Sequence, residues 1–153
     1  MLDLKTIVDQ YSPDLLFLSE PWLFQSDLPN IKKIFPGYIA ILNSDDKFDP
    51  DIALQSTRAH GGCLVLYKHS LEPFIREIGI ESSRILPLYL CVPGYPRSAH
   101  FAIYLPTSGK DAEYIECLAK LKTSIADVIE DSSDTLVYIR GDANASYLSL
   151  IHI

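Results

Sequence analysis

With 153 residues, 48% of them hydrophobic and 22% charged, the chain has the length and apolar content of one globular domain with a real core, which excludes a disordered or low-complexity protein. A formal charge of −7 argues against non-specific adhesion to nucleic acid or an anionic membrane, since such binding is mainly phosphate neutralisation; it leaves open an enzyme that meets nucleic acid through a local site and a divalent cation. Three cysteines, Cys63, Cys91 and Cys117, form no Cys-x-x-Cys pair and have no His at zinc-finger spacing, which sets aside a disulfide scaffold and structural zinc.

The start Met1-Leu2-Asp3-Leu4-Lys5 lacks the basic and apolar regions of a secretory signal. No stretch approaches the roughly 20 apolar residues that span a bilayer. The expectation is an intracellular protein, nuclear or cytoplasmic, neither secreted nor in a membrane. Leu4, Ile7, Val8 and Tyr11 recur at helical spacing behind Asp3 as N-cap, and Ser12-Pro13 stops that helix. A strand apolar on both faces follows at residues 14–19 and ends at Glu20, with Pro21 and Trp22 opening a turn or short helix. Residues 28–35 suit a short helix, broken by Pro36-Gly37 ahead of a strand over 38–42.

From Asn43 to Gly62 the chain turns polar and irregular, a long loop by domain standards. Its acidic run over 45–51 is no calcium loop, because Lys47 stands where a ligand is needed and Pro50 replaces the required glycine. Gly61-Gly62 leads into a strand over 63–67, and further strands are expected over 73–78, 85–92 and 99–105. The turn Pro93-Gly94-Tyr95-Pro96 makes the last two an antiparallel hairpin, and Pro106-Thr107-Ser108-Gly109 closes the β stretch. Tyr114, Leu118, Leu121, Ile125 and Val128 then mark a long helix ending near Glu130.

The last predicted strand, over 135–139, has the β-branched and aromatic character of a buried strand, and Gly141 supplies the freedom to turn sharply out of it. Asp142 and Asn144 thereby sit just past a strand end, where ligands bind in α/β sheets, and offer hard oxygen ligands, a base for water and a phosphate-facing amide. An ordinary polar turn would use the same residue types. A Cys/His nucleophile from His60 and Cys63 lacks an orienting third group, and neither Gly-x-Ser-x-Gly nor a nucleotide-binding Gly-x-x-x-x-Gly-Lys occurs.

The order strand-Glu20, Gly61-Gly62-strand, strand-Tyr104-x-Pro106, helix, strand-Gly141-Asp142-x-Asn144 resembles the endonuclease/exonuclease/phosphatase superfamily, from about residue 4 to residue 146. The stretches 13–20 and 60–66 most resemble the endonuclease domains of non-LTR retrotransposon polyproteins. The resemblance implies a deoxyribonuclease-I-like fold: an α/β sandwich of two packed sheets with helices outside. It implies Glu20 as the Mg²⁺ ligand, with Mn²⁺ as a substitute, Asp142 orienting or deprotonating the attacking water, and Asn144 holding a phosphate oxygen. Tyr104 would reach the phosphate through its hydroxyl. An exposed Glu before a turn and a half-buried strand tyrosine are the plainer alternatives for Glu20 and Tyr104. Gly61-Gly62 would permit close packing beside the site or simply turn the chain into its strand.

Members of that superfamily begin with a strand carrying an Asn ligand and end with a late Asp-His pair, and this sequence has neither; His60, His69, His100 and His152 lie outside the catalytic position. Ala143 stands where a bulky aromatic is common. The tail over 148–153 resembles the translation of a transposase adapter end used in sequencing libraries. The expectation is therefore a partial domain over 1–147 and a non-native tail over 148–153. The intact parent would be a Mg²⁺-dependent DNA-nicking endonuclease of a retroelement, with this chain alone inactive or nearly so. The alternatives are a non-catalytic binding module on the same scaffold, or a phosphatase or phosphodiesterase for small phosphorylated substrates. Nothing in the sequence identifies a stable protein partner.

Overall fold

The computed structural model describes residues 4–107 and 110–144. Asp3, Ser108-Gly109, His152 and the tail read as non-native lie outside the described residues. In chain order the elements are α1 (Leu4–Tyr11), β1 (Leu15–Ser19), α2 (Leu28–Ile34), β2 (Tyr38–Asn43), α3 (Asp45–Phe48), α4 (Asp51–Gln55), β3 (Cys63–Lys68), β4 (Ile75–Glu77), β5 (Ile85–Leu90), β6 (Ser98–Tyr104), α5 (Asp111–Asp131) and β7 (Leu136–Asp142).

Two sheets result, as expected for an α/β sandwich. One has the order β1-β3-β2 and is antiparallel throughout; the other runs β4-β5-β6-β7, antiparallel except for the parallel pair β6-β7. The parallel pair needs a crossover, and the 21-residue α5 supplies it.

Strand alternation sorts the apolar residues into three clusters. Leu64 and Leu66 of β3 face Val8 of α1, Phe35, Tyr38 and Leu42. On the opposite face of β3, Cys63, Val65 and Tyr67 meet Leu86, Leu88 and Ala102 of the second sheet. Ile85, Ala99, Phe101 and Ile103 then point to the far side, where Cys117, Leu121 and Val128 of α5 cover them. The layers are thus helix, sheet, sheet, helix. β3 is buried on both faces, which is why it reads as an unbroken apolar run. Polar bonds also join the sheets: the buried Asn43 side chain donates to the carbonyls of Ser82 (3.1 Å) and Ile85 (2.8 Å) and accepts from Lys47 Nζ at 2.6 Å.

Three expectations need correcting. The stretch from Asn43 to Gly62 is not irregular throughout, since it holds α3 and α4, both too short to show helical periodicity. The strand expected over 73–78 begins as a 3₁₀ turn (His69–Phe74), leaving three residues for β4. β7 is not a buried strand: it pairs with β6 along one edge, and Leu136, Tyr138 and Ile139 are 46%, 41% and 51% exposed.

A ring stack links the sheets. The imidazole of His100 on β6 lies between Phe17 of β1 (centroids 5.8 Å, 16°) and Tyr138 of β7 (4.9 Å, 19°), with the Arg140 guanidinium over both outer rings. Its Nε2 is 2.9 Å from Ser98 Oγ, and its Nδ1 is buried without a partner. Burial first, and then the nearby Arg140 charge, push the His100 pKa down to about 4. A histidine depressed in the folded state adds no pH-dependent term above about 6.5, where it is neutral in both states. As pH falls towards 4, only the unfolded chain takes up the proton, so stability is lost across that window, by up to about 3 kcal/mol from this group. Urea unfolding of the parent and His100→Phe at pH 7 and pH 4.5 is expected to show a smaller acid loss in the variant. An equal loss in both would show that His100 does not carry it.

Candidate active site

β1 ends at Ser19, and the next residues take backbone angles that side chains rarely adopt: Glu20 has φ 53° and Trp22 φ 56°, on either side of Pro21. Two backbone bonds hold this segment against the entrance to β3, Glu20 N–H to Gly62 O (3.1 Å) and Trp22 N–H to Gly61 O (3.3 Å). Both glycines are themselves left-handed, at φ 58° and 87°. Of the two roles open to them, close packing holds for each. A Cβ on Gly61 would meet the Tyr104 ring at 3.0 Å, and one on Gly62 the Asn43 carbonyl oxygen at 2.9 Å.

The other side of the site comes from β6 and β7. Tyr104 is paired in register with Asp142, so the two parallel strands deliver a phenol and a carboxylate to the same end of the sheet. β7 runs through Gly141 to Asp142, which corrects the expectation of a sharp turn at the glycine. Glycine is required there for another reason. At φ 129° its α-carbon presses on β6, where a Cβ would overlap the Ile103 carbonyl oxygen and lie 2.7 Å from Ser19 Oγ. Ser19 Oγ in turn donates to Ile103 O at 2.9 Å. The ends of β1, β6 and β7 therefore meet at one point.

Glu20 and Tyr104 line a common polar cavity of about 230 Å³ with Trp22, Asp45, His60, Gly61, Gly62, Ser83, Arg84 and Lys110. Hydrogen bonding to Glu20, with burial and the Glu20 charge, raises the Tyr104 pKa against the opposing effect of Arg84. The phenol stays protonated at neutral pH and donates to the Glu20 carboxylate. Arg84 stands 5.3 Å from the Tyr104 ring centre and is fixed from behind by Glu113 of α5, through Nε (2.8 Å) and a terminal nitrogen (2.7 Å). Lys110 Nζ is 3.5 Å from the other Glu113 oxygen.

Asp142 and Asn144 are not among the residues lining that cavity. They form a tight turn docked on the neighbouring strand end: Asn144 N–H donates to Asp142 Oδ1 (2.8 Å), Asn144 Nδ2 to Leu105 O (2.6 Å), and Leu105 N–H to Asp142 O (2.9 Å). One Asp142 oxygen and one Asn144 amide hydrogen take no part in these bonds. Among the described residues no three His, Cys, Asp or Glu side chains converge as a ready-made metal cage. The Glu20 carboxylate is nonetheless a hard oxygen donor of the kind that suits Mg²⁺, an ion that keeps several waters and uses one or two carboxylates with a substrate phosphate.

Sequence reading missed Arg84, Lys110 and Asp45 as neighbours of Glu20; no motif marks them. Cys63 is no nucleophile: its thiol is buried, donates to Arg84 O at 3.4 Å, and is pushed up to about 12 by burial, only partly offset by Arg84.

No family model matches the chain, and no curated protein does either. Among solved structures it is similar to a humanized TDP2 from D. rerio, with 17% identity and a TM-score of 0.63 over 97% of this chain and 60% of that one. It is also similar to human Nocturnin, catalytic domain (14%, 0.56, 91% and 54%), and to NExo from Neisseria, a 3′ phosphatase bound to a product DNA hairpin (14%, 0.59, 92% and 51%). These likenesses show the fold, a two-sheet α/β sandwich of deoxyribonuclease-I-like type. The chain spans 51–60% of these three structures.

The crowding at Gly141 is directly testable. Gly141→Ala is expected to cost about 3 kcal/mol or more in chemical denaturation. Gly79→Ala, where nothing lies within 4 Å of the added carbon, should stay within about 0.5 kcal/mol of the parent. Equal stability of the two variants would remove the close-contact reading.

Proposed function

We propose that the chain is part of a metal-dependent phosphodiester hydrolase of the endonuclease/exonuclease/phosphatase superfamily, and that the whole protein nicks DNA as the endonuclease domain of a retroelement polyprotein. The observation that carries the reading is the meeting of three strand ends at Gly141, Ile103 and Ser19, because it brings the Glu20–Tyr104 cavity and the Asp142–Asn144 turn together. Support also comes from the fold shared with a 3′ phosphatase seen with product DNA. The retroelement assignment rests on the sequence stretches 13–20 and 60–66. An intracellular setting is supported by three cysteines that are all free thiols, and no described helix is long and apolar enough to cross a membrane.

In this reading Glu20 would hold Mg²⁺, which would polarise the phosphoryl group and neutralise the leaving oxyanion. The Asp142 oxygen outside the turn accepts a proton from the attacking water. Asn144, its side chain steadied on Leu105 O, directs its second amide hydrogen at a non-bridging phosphate oxygen. Tyr104 exchanges its bond to Glu20 for one to the phosphate, and Arg84 adds a fixed positive charge beside it. These groups orient and polarise, so no covalent enzyme intermediate is required. A phosphatase acting on small phosphorylated substrates would use the same groups, and the choice of DNA leaves its mark in the substrate that competes best.

Nicking of supercoiled plasmid by the whole protein in Mg²⁺ is expected to fall at least about 100-fold in Glu20→Gln, Asp142→Asn and Asn144→Ala, with circular dichroism unchanged. Parent-like rates in two of the three would overturn the assignment. The 153-residue chain alone is expected to nick at background, and measurable Mg²⁺-dependent nicking by it would refute that part.

A further inference from the structure

Trp22 is the chain's single tryptophan, and nothing in the hydrolytic scheme uses it. It holds a left-handed backbone, which a bulky residue adopts only at a cost, yet the residue is 40% exposed at the cavity that contains Glu20. Burial of the indole therefore does not account for the strain. The Arg58 guanidinium lies 3.6 Å from the ring centre, nearer than in any other described cation–ring pair. The His60 ring lies beside the indole, with centroids 6.3 Å apart and planes tilted 53°. Buried Ala59 anchors the loop between these two residues. Arg84 and Arg97 each pair with a carboxylate, whereas among the described residues no carboxylate pairs with Arg58. Its charge faces outward on an aromatic platform, in a chain whose net charge is −7.

We propose that Trp22, Arg58 and His60 form a nucleotide subsite at the mouth of the cavity, which stacks an unpaired base and contacts the flanking phosphate of a nucleic-acid strand. Only the position of the scissile phosphate beyond it rests on the hydrolase reading. Indole and guanidinium planes are the surfaces on which unpaired bases stack, and every base has a face to offer. With a single unpaired cation, the subsite should hold about one phosphate, giving a shallow salt slope near −0.7 in log K against log salt.

The lone indole reports its own occupancy, so the test needs neither metal nor turnover. Tryptophan emission of the full chain in EDTA is followed during titration with an octathymidylate, an abasic octamer of equal charge, and inorganic phosphate. The octathymidylate is expected to quench saturably, and the abasic strand and phosphate to need at least about five times the concentration. Binding of a dye-labelled octathymidylate, read by anisotropy, should weaken at least about tenfold in Trp22→Ala and about fivefold in Arg58→Ala, and stay within about threefold in Trp22→Phe. Equal quenching by the abasic strand, no quenching up to 1 mM strand, or unchanged affinity in a folded Trp22→Ala overturns the subsite. Nicking by the whole protein without base-dependent quenching refutes this proposal alone. Base-dependent quenching beside an absence of Mg²⁺-dependent nicking by the parental whole protein refutes the hydrolase reading alone.

Discussion

The contact on which the molecule depends most is the one at Gly141, where a missing side chain lets β7 press its backbone against the Ile103 carbonyl while Ser19 bonds to the same oxygen. Ser19 belongs to one sheet, and Ile103 and Gly141 to the other. Hydrophobic packing between the sheets is non-directional and would tolerate sliding. A hydroxyl-to-carbonyl bond beside a position closed to any Cβ does not. It fixes the residue after Ser19, the residue after Ile103 and the residue after Gly141 relative to one another, and these are Glu20, Tyr104 and Asp142.

Electrostatics at the cavity follow a similar economy. The carboxylate of Glu113 absorbs both Arg84 and Lys110 from the α5 side, so neither cation collapses onto Glu20. Glu20 instead receives the neutral Tyr104 hydroxyl, a partner that can be exchanged for a phosphate oxygen without separating an ion pair. The long helix thus does more than close the parallel crossover. Its first turn carries the residue that holds the cavity's positive charge in place.

Much of the sandwich was legible because burial leaves a pattern: β3 is covered on both faces and reads as a continuous apolar run, and α5 repeats its apolar residues every three or four positions. Glu20, Tyr104 and Asp142 were visible as strand-end residues. What was not legible depends on distance along the chain. Arg84 finds Glu113 29 positions later, and beforehand each resembles a solvated charge. The helices α3 and α4 span four and five residues and bury no residue fully, so no period marks them. Gly141 was noticed for flexibility, but its role is steric. β7 misled because its β-branched and aromatic residues suggest burial, whereas among the described residues it pairs only with β6 and leaves Leu136, Tyr138 and Ile139 exposed.

Pairing along one side among the described residues has a kinetic consequence. Amide protons of a strand held along one side exchange through local fraying, at a cost well below that of global unfolding. The Asp142–Asn144 turn ends this strand and is tied to Leu105 by side-chain and backbone bonds. Part of the candidate site therefore rides on a segment that opens more readily than the β3 core. Anything that seats a phosphate against the turn would slow deuterium uptake along all of β7, as far back as Leu136, while leaving β3 unchanged.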